Sequence, residues 1–165
     1  MARHPAAPGT PATAALDAAG IAFVGHVYQH DPRSTNFGEE AAEKLGVNPD
    51  RVFKTLVAEV AGSLVVGVVP VTAMLDLRAL AVALGGGKAT LADPRHAERR
   101  SGYVVGGISP IGQKTPLRTV VDETAILFET VLVSGGRRGF DIELSPDDLC
   151  AATGAAFAPI STRRR

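Results

Sequence analysis

Apolar and polar positions alternate along the chain in short blocks, some with helical spacing and some with strand spacing. Thr10 followed by Pro11 forms an N-cap and first-turn pair, and Gly20 is a helix stop, so the first block predicts a helix. Residues 21–28 then read as a strand, and residues 29–36 (QHDPRSTN) as a turn-rich loop. A second helix is predicted from Phe37 to Leu45, ended by Gly46, with Glu39 and Glu40 in the first turn where the helix dipole favours them. Residues 52–60 and 64–69 are two apolar strands separated by Ala61-Gly62-Ser63, the pattern of a hairpin. Asp76 caps a helix that runs to Leu84 and is stopped by Gly85-Gly86-Gly87, and Asp93-Pro94 opens another that reaches about Arg100.

After a loop at 106–118 (GGISPIGQKTPLR), residues 119–122 and 130–134 read as strands. The second is joined through Gly135-Gly136-Arg137-Arg138 to a strand at 140–144. Ser145-Pro146-Asp147-Asp148 opens the last helix, stopped by Gly154, and residues 155–160 make a closing strand. Hairpins mixed with helices predict a single α+β domain with a mixed, curved sheet rather than a doubly wound parallel one. The domain is expected to span 10–160, between a flexible tail at 1–9 and a basic tail at 161–165.

The 165 residues suffice for one domain with a real core and are too few for two ordinary ones. With 45% hydrophobic and 21% charged residues the chain is not of the disordered class. A single Cys excludes a disulfide scaffold and a Cys-based zinc site. Seventeen basic and seventeen acidic residues cancel, so the overall charge cannot drive strong nucleic-acid binding, although a local basic patch remains open. Basic residues do cluster at Arg95, Arg99 and Arg100, at Lys114 and Arg118, and at Arg137 and Arg138, while the 5% aromatic content argues against extensive base stacking. No apolar run approaches the ~20 residues of a membrane helix, and the start lacks the apolar stretch of a secretory signal. The expectation is a cytoplasmic protein with no membrane or DNA partner.

Lys54 is the most informative residue. In the strand at 52–60, Val52, Lys54, Leu56, Ala58 and Val60 share one face, and Phe53, Thr55, Val57 and Glu59 the other. Lys54 thus lies on an apolar face, where an ammonium needs an anionic partner, a shifted pKa or a ligand; a lysine near a strand start can also snorkel to water. The GGISPIG loop at 106–112 is the second signal. Its glycines let backbone approach a ligand, and its N–H groups can bind a carbonyl or a phosphate, though it also suits an ordinary turn. The hairpin SGGRRGFD at 134–141 is the third, with Ser134 and Asp141 flanking its tip.

Other patterns carry less. Gly85-Gly86-Gly87-Lys88-Ala89-Thr90 fails the spacing of a phosphate loop and reads as a helix stop. His26 and His30 would lie roughly 13 Å apart on a strand, too far to share a metal. Cys150 falls in the last helix as a packed thiol, and no GxSxG elbow is present. Neither a protein nucleophile nor a metal centre emerges.

Tyr28-Gln29-His30-Asp31, Glu39-Glu40-Ala41-Ala42, Val52-Phe53-Lys54-Thr55-Leu56, Gly85-Gly86, the segment GYVVGGISPIG at 102–112 and VSGGRRG at 133–139 together resemble the YbaK/EbsC family of aminoacyl-tRNA deacylases. The resemblance runs from about residue 10 to 160 and is strongest to the Cys-tRNA(Pro) deacylase branch. It implies a barrel-like mixed sheet with surrounding helices, and hydrolysis of the ester between a mischarged amino acid and the tRNA 3′ end without metal or cofactor. It implies that Lys54 is the catalytic residue and that Tyr28, Phe37, Thr55, Gly106, Gly107, Ser109, Ser134 and Asp141 form the substrate pocket. In that branch the substrate thiol attacks its own ester carbonyl. Lys54 would then anchor the 3′ end or polarise the ester, Gly107 would offer a backbone N–H, and Ser134 and Asp141 would orient polar groups. The implied partners are tRNA(Pro) and prolyl-tRNA synthetase. A sister activity on Ala-tRNA(Pro) or another mischarged tRNA, and a non-catalytic tRNA- or synthetase-binding module of the same fold, are the alternatives. Retention of Lys54 and the glycine loop argues against the module.

Overall fold

The computed structural model describes residues 7–163. Among them are five α-helices and ten strands. Helix α1 (Pro11–Ala19) begins at Thr10, whose side chain accepts from the Thr13 N–H while Thr13 returns the bond to the Thr10 N–H, and ends at Gly20 in the left-handed region (φ +68°). The Ile21 N–H closes that helix end by bonding to the Leu16 carbonyl. Strand β1 (Val24–Val27) therefore starts later than residue 21, the expected start. Helix α2 (Phe37–Leu45) has its predicted bounds and ends at Gly46 (φ +67°).

Strands β2 (Phe53–Val60) and β3 (Ser63–Pro70) form the expected hairpin, in unbroken antiparallel register from Phe53↔Pro70 to Val60↔Ser63. From Leu64 onward every β3 residue is buried, as befits a strand covered on both faces. Strand β4 (Ala73–Leu75) follows, then α3 (Leu77–Ala83), capped by Asp76 as predicted, β5 (Ala89–Leu91) and α4 (Pro94–Ser101), capped by Asp93. A long loop leads to β6 (Arg118–Asp122), and β7 (Val131–Arg137) and β8 (Phe140–Leu144) form the second hairpin. Helix α5 (Pro146–Thr153), β9 (Ala156–Ala158) and β10 (Ser161–Arg163) complete the described chain.

The strands pair as β5-β2-β3-β6-β9, β1-β8-β7 and β10-β4. The β3–β6 and β6–β9 ladders are parallel and the others antiparallel, so the sheet is mixed, as expected for this α+β fold. A parallel bridge between Val52 and Leu132 ties the three-stranded sheet to the five-stranded one. One face of β2 and β3 (Phe53, Val57, Val66, Val68) packs with Leu16, Phe140, Ile142 and Leu149. The opposite face (Ala58, Val60, Val65, Val69) packs on Leu80 and Ala81 of α3. Helix α2 sits on Val52, Val71 and Leu132, so closely that a Cβ on Gly38 would lie 2.2 Å from Val71 Cγ1.

Three expectations are corrected. The second hairpin turns only at Arg138-Gly139, because Gly135 and Gly136 stay within β7 as an irregularity in its register (Gly136 φ +108°). Residues 161–163 pair with β4 and belong to the domain rather than to a basic tail; 164 and 165 lie outside the described residues. Of the expected flexible tail at 1–9, residues 1–6 lie outside the described residues, while Ala7 is buried, its Cβ where it would meet a side chain at Gly25.

Candidate active site

Strand β2 is paired along its whole length on one side only. Toward β3 it is continuous, but on the other side Val52, just before it, bridges to Leu132, and residues 58–60 pair with β5. The stretch between these two attachments borders a cavity of about 410 Å³. Because the cavity wraps a free strand edge, residues of both faces line it: Lys54 and Leu56 of one, Phe53, Thr55 and Val57 of the other. Helix α2 contributes Phe37 and Glu39, the start of α4 contributes Pro94 and Ala97, and the second hairpin contributes Ser134 and Asp141.

Seven of the nine expected site residues line this one cavity: Tyr28, Phe37, Lys54, Thr55, Gly106, Ser134 and Asp141. Lys54 is half-buried on the face it shares with Leu56, across from fully buried Val69. Ser134 and Asp141 are cross-strand neighbours, so one hairpin delivers both side chains to the same face. The Ser134 hydroxyl also accepts from the Gly136 N–H at 3.2 Å, which fixes the irregular part of β7.

Gly107 and Ser109 are not among the residues that line the cavity. The Gly107 N–H, expected to meet substrate, donates instead to the Val104 carbonyl at 2.8 Å. A Cβ there would lie 2.8 Å from Arg137 Cα and 3.0 Å from Arg138 N, so glycine at 107 serves backbone packing against the second hairpin. Ser109 is fully buried; its hydroxyl accepts from the Ile111 N–H and its carbonyl from the Gln113 side chain, a turn-forming role.

Two carboxyls, two residues apart on β8, lie in opposite surroundings. Burial pushes Asp141 up to about 7. Burial acts on Glu143 too, but the Thr130 hydroxyl, His26 and Arg51 all bond to it and together hold it below the usual carboxylate range. Tyr28 beside Asp141 is raised, first by burial and then by the Asp141 and Glu40 charges.

The sequence reading missed two parts of the frame. Glu40 is no mere dipole partner but a buried clamp: one oxygen pairs with His30 Nδ1 at 2.6 Å, the other accepts from the Asp31 N–H at 2.8 Å, and Lys44 lies 3.4 Å away. Burial would raise its carboxyl, yet these donors outweigh that and hold it low. Its position three residues after Phe37 was the available signal, since that spacing puts the two on one side of α2. Arg138, exposed at the tip of the second hairpin, reaches back to donate twice to the Val105 carbonyl, at 2.9 and 2.7 Å, with its guanidinium carbon 4.9 Å from the Phe37 ring centre. Gly106 (φ +90°) fits under this pair because a Cβ there would meet the Phe37 ring at 2.6 Å and Arg138 Nε at 2.8 Å.

Residues 31–152 match the aminoacyl-tRNA editing domain, and the chain belongs to that family, the YbaK-type deacylases that edit aminoacyl-tRNA. It is 40% identical over 127 residues to "Putative Cys-tRNA(Pro)/Cys-tRNA(Cys) deacylase EbsC" of Enterococcus faecalis, covering 76% of this chain and 77% of that one. It is 30% identical over 112 residues to "Uncharacterized protein YwhH" of Bacillus subtilis, covering 67% and 71%. Among solved structures, "a putative trans-editing enzyme for prolyl tRNA synthetase" superposes with a TM-score of 0.82 at 26% identity, over 94% of this chain and 99% of that one. Among the described residues no helix is long and apolar enough to cross a membrane.

Proposed function

We propose that the chain deacylates Cys-tRNA(Pro) in trans, with the cysteine thiol of the substrate as the nucleophile. The observation that carries this reading is the composition of the cavity: an amine, a buried carboxyl and hydroxyls converge there, and among the described residues neither a histidine nor a cysteine lines it. Such a site is equipped to hold a reactive pose and to steady charge, so a substrate that brings its own nucleophile suits it. The substrate sulfur bonds to the ester carbonyl carbon, the bond to the tRNA 3′ oxygen breaks, and that oxygen takes the thiol proton. The four-membered thiolactone so released is then opened by water. Lys54 polarises the ester or anchors the 3′ end, while Ser134 and Asp141 orient the ribose and aminoacyl polar groups. Phe37 lines the cavity, with the Arg138 guanidinium against its ring.

A zero net charge suits weak tRNA binding by this chain alone. Prolyl-tRNA synthetase, which already holds tRNA(Pro), is the proposed partner, and the similarity to a structure described as serving that synthetase supports it.

The test is deacylation of Cys-tRNA(Pro) and Ala-tRNA(Pro) side by side, with wild type and Lys54→Ala. We expect cleavage of the cysteinyl ester and a loss of about 100-fold or more in the variant. Cleavage of the alanyl ester alone would move the specificity to the sister branch. An unimpaired Lys54→Ala would remove the central role from Lys54.

A further inference from the structure

The unfilled edge of β2 has a defined hydrogen-bonding register. The Val71 N–H bonds to the Val52 carbonyl, so the even-numbered residues of this strand direct their main chain to β3. The Ala92 N–H bonds to the Val57 carbonyl, so the odd-numbered residues direct theirs to the opposite side. Thr55 is therefore the residue whose N–H and C=O point together into the cavity. The β2–β5 register of Ala58↔Leu91 and Glu59↔Thr90, carried on, would bring residue 94 opposite Thr55. Residue 94 is Pro94, which has no N–H and begins α4, so the ladder stops one pair short. From the other end, β7 loses its regular register after Ser134 and does not extend the Val52–Leu132 bridge along β2. The Thr55 hydroxyl, buried beside this slot, also has no hydrogen-bond partner.

We propose that this slot is where the aminoacyl group docks, with its free α-amino group donating to the Thr55 carbonyl and its ester carbonyl accepting from the Thr55 N–H. The inference rests on the deacylase reading and deepens it. An α-aminoacyl ester carries the same N–Cα–C=O unit as one residue of a β-strand, and in an antiparallel pair one such unit exchanges both bonds with the residue opposite. The main-chain contact first expected at Gly107 is thus supplied by Thr55, since the Gly107 N–H is already bonded within its loop. The substrate class follows: esters whose acyl group carries an α-N–H are taken, and those without one, such as 3-mercaptopropionyl esters, are refused.

Binding tests this apart from turnover. Two hydrolysis-resistant adenosine amides, 3′-cysteinylamino- and 3′-(3-mercaptopropionyl)amino-3′-deoxyadenosine, differ only in the α-amine. Titration into the full chain, followed by the Thr55 amide resonance, should show the first binding at least about tenfold more tightly, because the second leaves a buried carbonyl unpaired. Thr55→Val, which removes the hydroxyl and keeps the main chain, should retain the preference. Equal binding of the two amides, binding of neither, or loss of the preference in Thr55→Val would each overturn the slot. A strong preference in a chain that cleaves no aminoacyl-tRNA would keep the slot and overturn the deacylase reading instead.

Discussion

Replacing Asp141 with Asn should make the protein more stable at alkaline pH, the reverse of the usual cost of changing a buried polar residue. The carboxyl is 6% exposed, and burial lifts it from 3.8 to about 7. Between these values the folded chain holds a proton that the unfolded chain has released. Stability therefore falls as pH rises through this window, by about 1.4 kcal/mol per pH unit, and levels off above it. Across the window of roughly three units the ionised carboxyl costs on the order of 4 kcal/mol, a ceiling set by how much water reaches the cavity. Asparagine keeps the shape and does not titrate. Urea unfolding of both proteins at pH 5, 6, 7 and 8 reads the difference, provided the m-values agree. The Asn variant should gain on wild type steadily from pH 5 to 7 and hold the gain at pH 8. Parallel pH profiles would refute the reasoning and mean that the carboxylate is solvated or paired when ionised.

Gly107→Ala should cost about 1–3 kcal/mol in a thermal or urea melt, since its Cβ meets backbone of the second hairpin rather than a yielding side chain; an unchanged melt would return Gly107 to the substrate. Arg138→Ala removes two bonds to Val105 and the contact with Phe37, and should cost no more than about 1 kcal/mol of stability. Its larger effect should be a several-fold rise in KM for aminoacyl-tRNA with kcat nearly unchanged, read by steady-state deacylation. Glu40→Ala should lower stability by about 1–3 kcal/mol at neutral pH. Because the Glu40 carboxyl is held low, its contribution is present above its unfolded value and is lost as pH falls. The gap between wild type and variant should therefore narrow in melts from pH 6 down to pH 3.

The helices were legible because each start and stop is written locally. Thr10, Asp76, Asp93 and Ser145 cap the predicted helices, and glycines 20, 46 and 154 end them. The β2–β3 hairpin was equally plain from two apolar runs around Ala-Gly. Strands β4, β5 and β10 were not, since three residues are too few to show a period and each exists only by pairing with something distant. The site divides the same way. Lys54 stood out because strand alternation placed a charge on an apolar face, and the family resemblance drew Tyr28, Phe37, Ser134 and Asp141 to it. The roles of Gly107 and Arg138 depend on which backbone passes within about 3 Å, and no local pattern encodes that. Thr55 was named only as a pocket residue, whereas the direction of its main chain follows from where two other strands stop.

An unpaired strand edge is ordinarily a hazard, an invitation for a second chain to add on and begin an aggregate. Many proteins blunt such edges with charge or proline. Here the free edge of β2 lies inside a recess, with Pro94 closing one end, the β7 bulge the other, and Phe37 and Gly106 also in its wall. The recess, about 410 Å³, is of small-ligand size, and the free edge within it runs only over residues 53–57 between the two attachments of β2. Concavity thus performs the protective work that charge performs elsewhere, and the sheet can stay unfinished in a protein that must not aggregate.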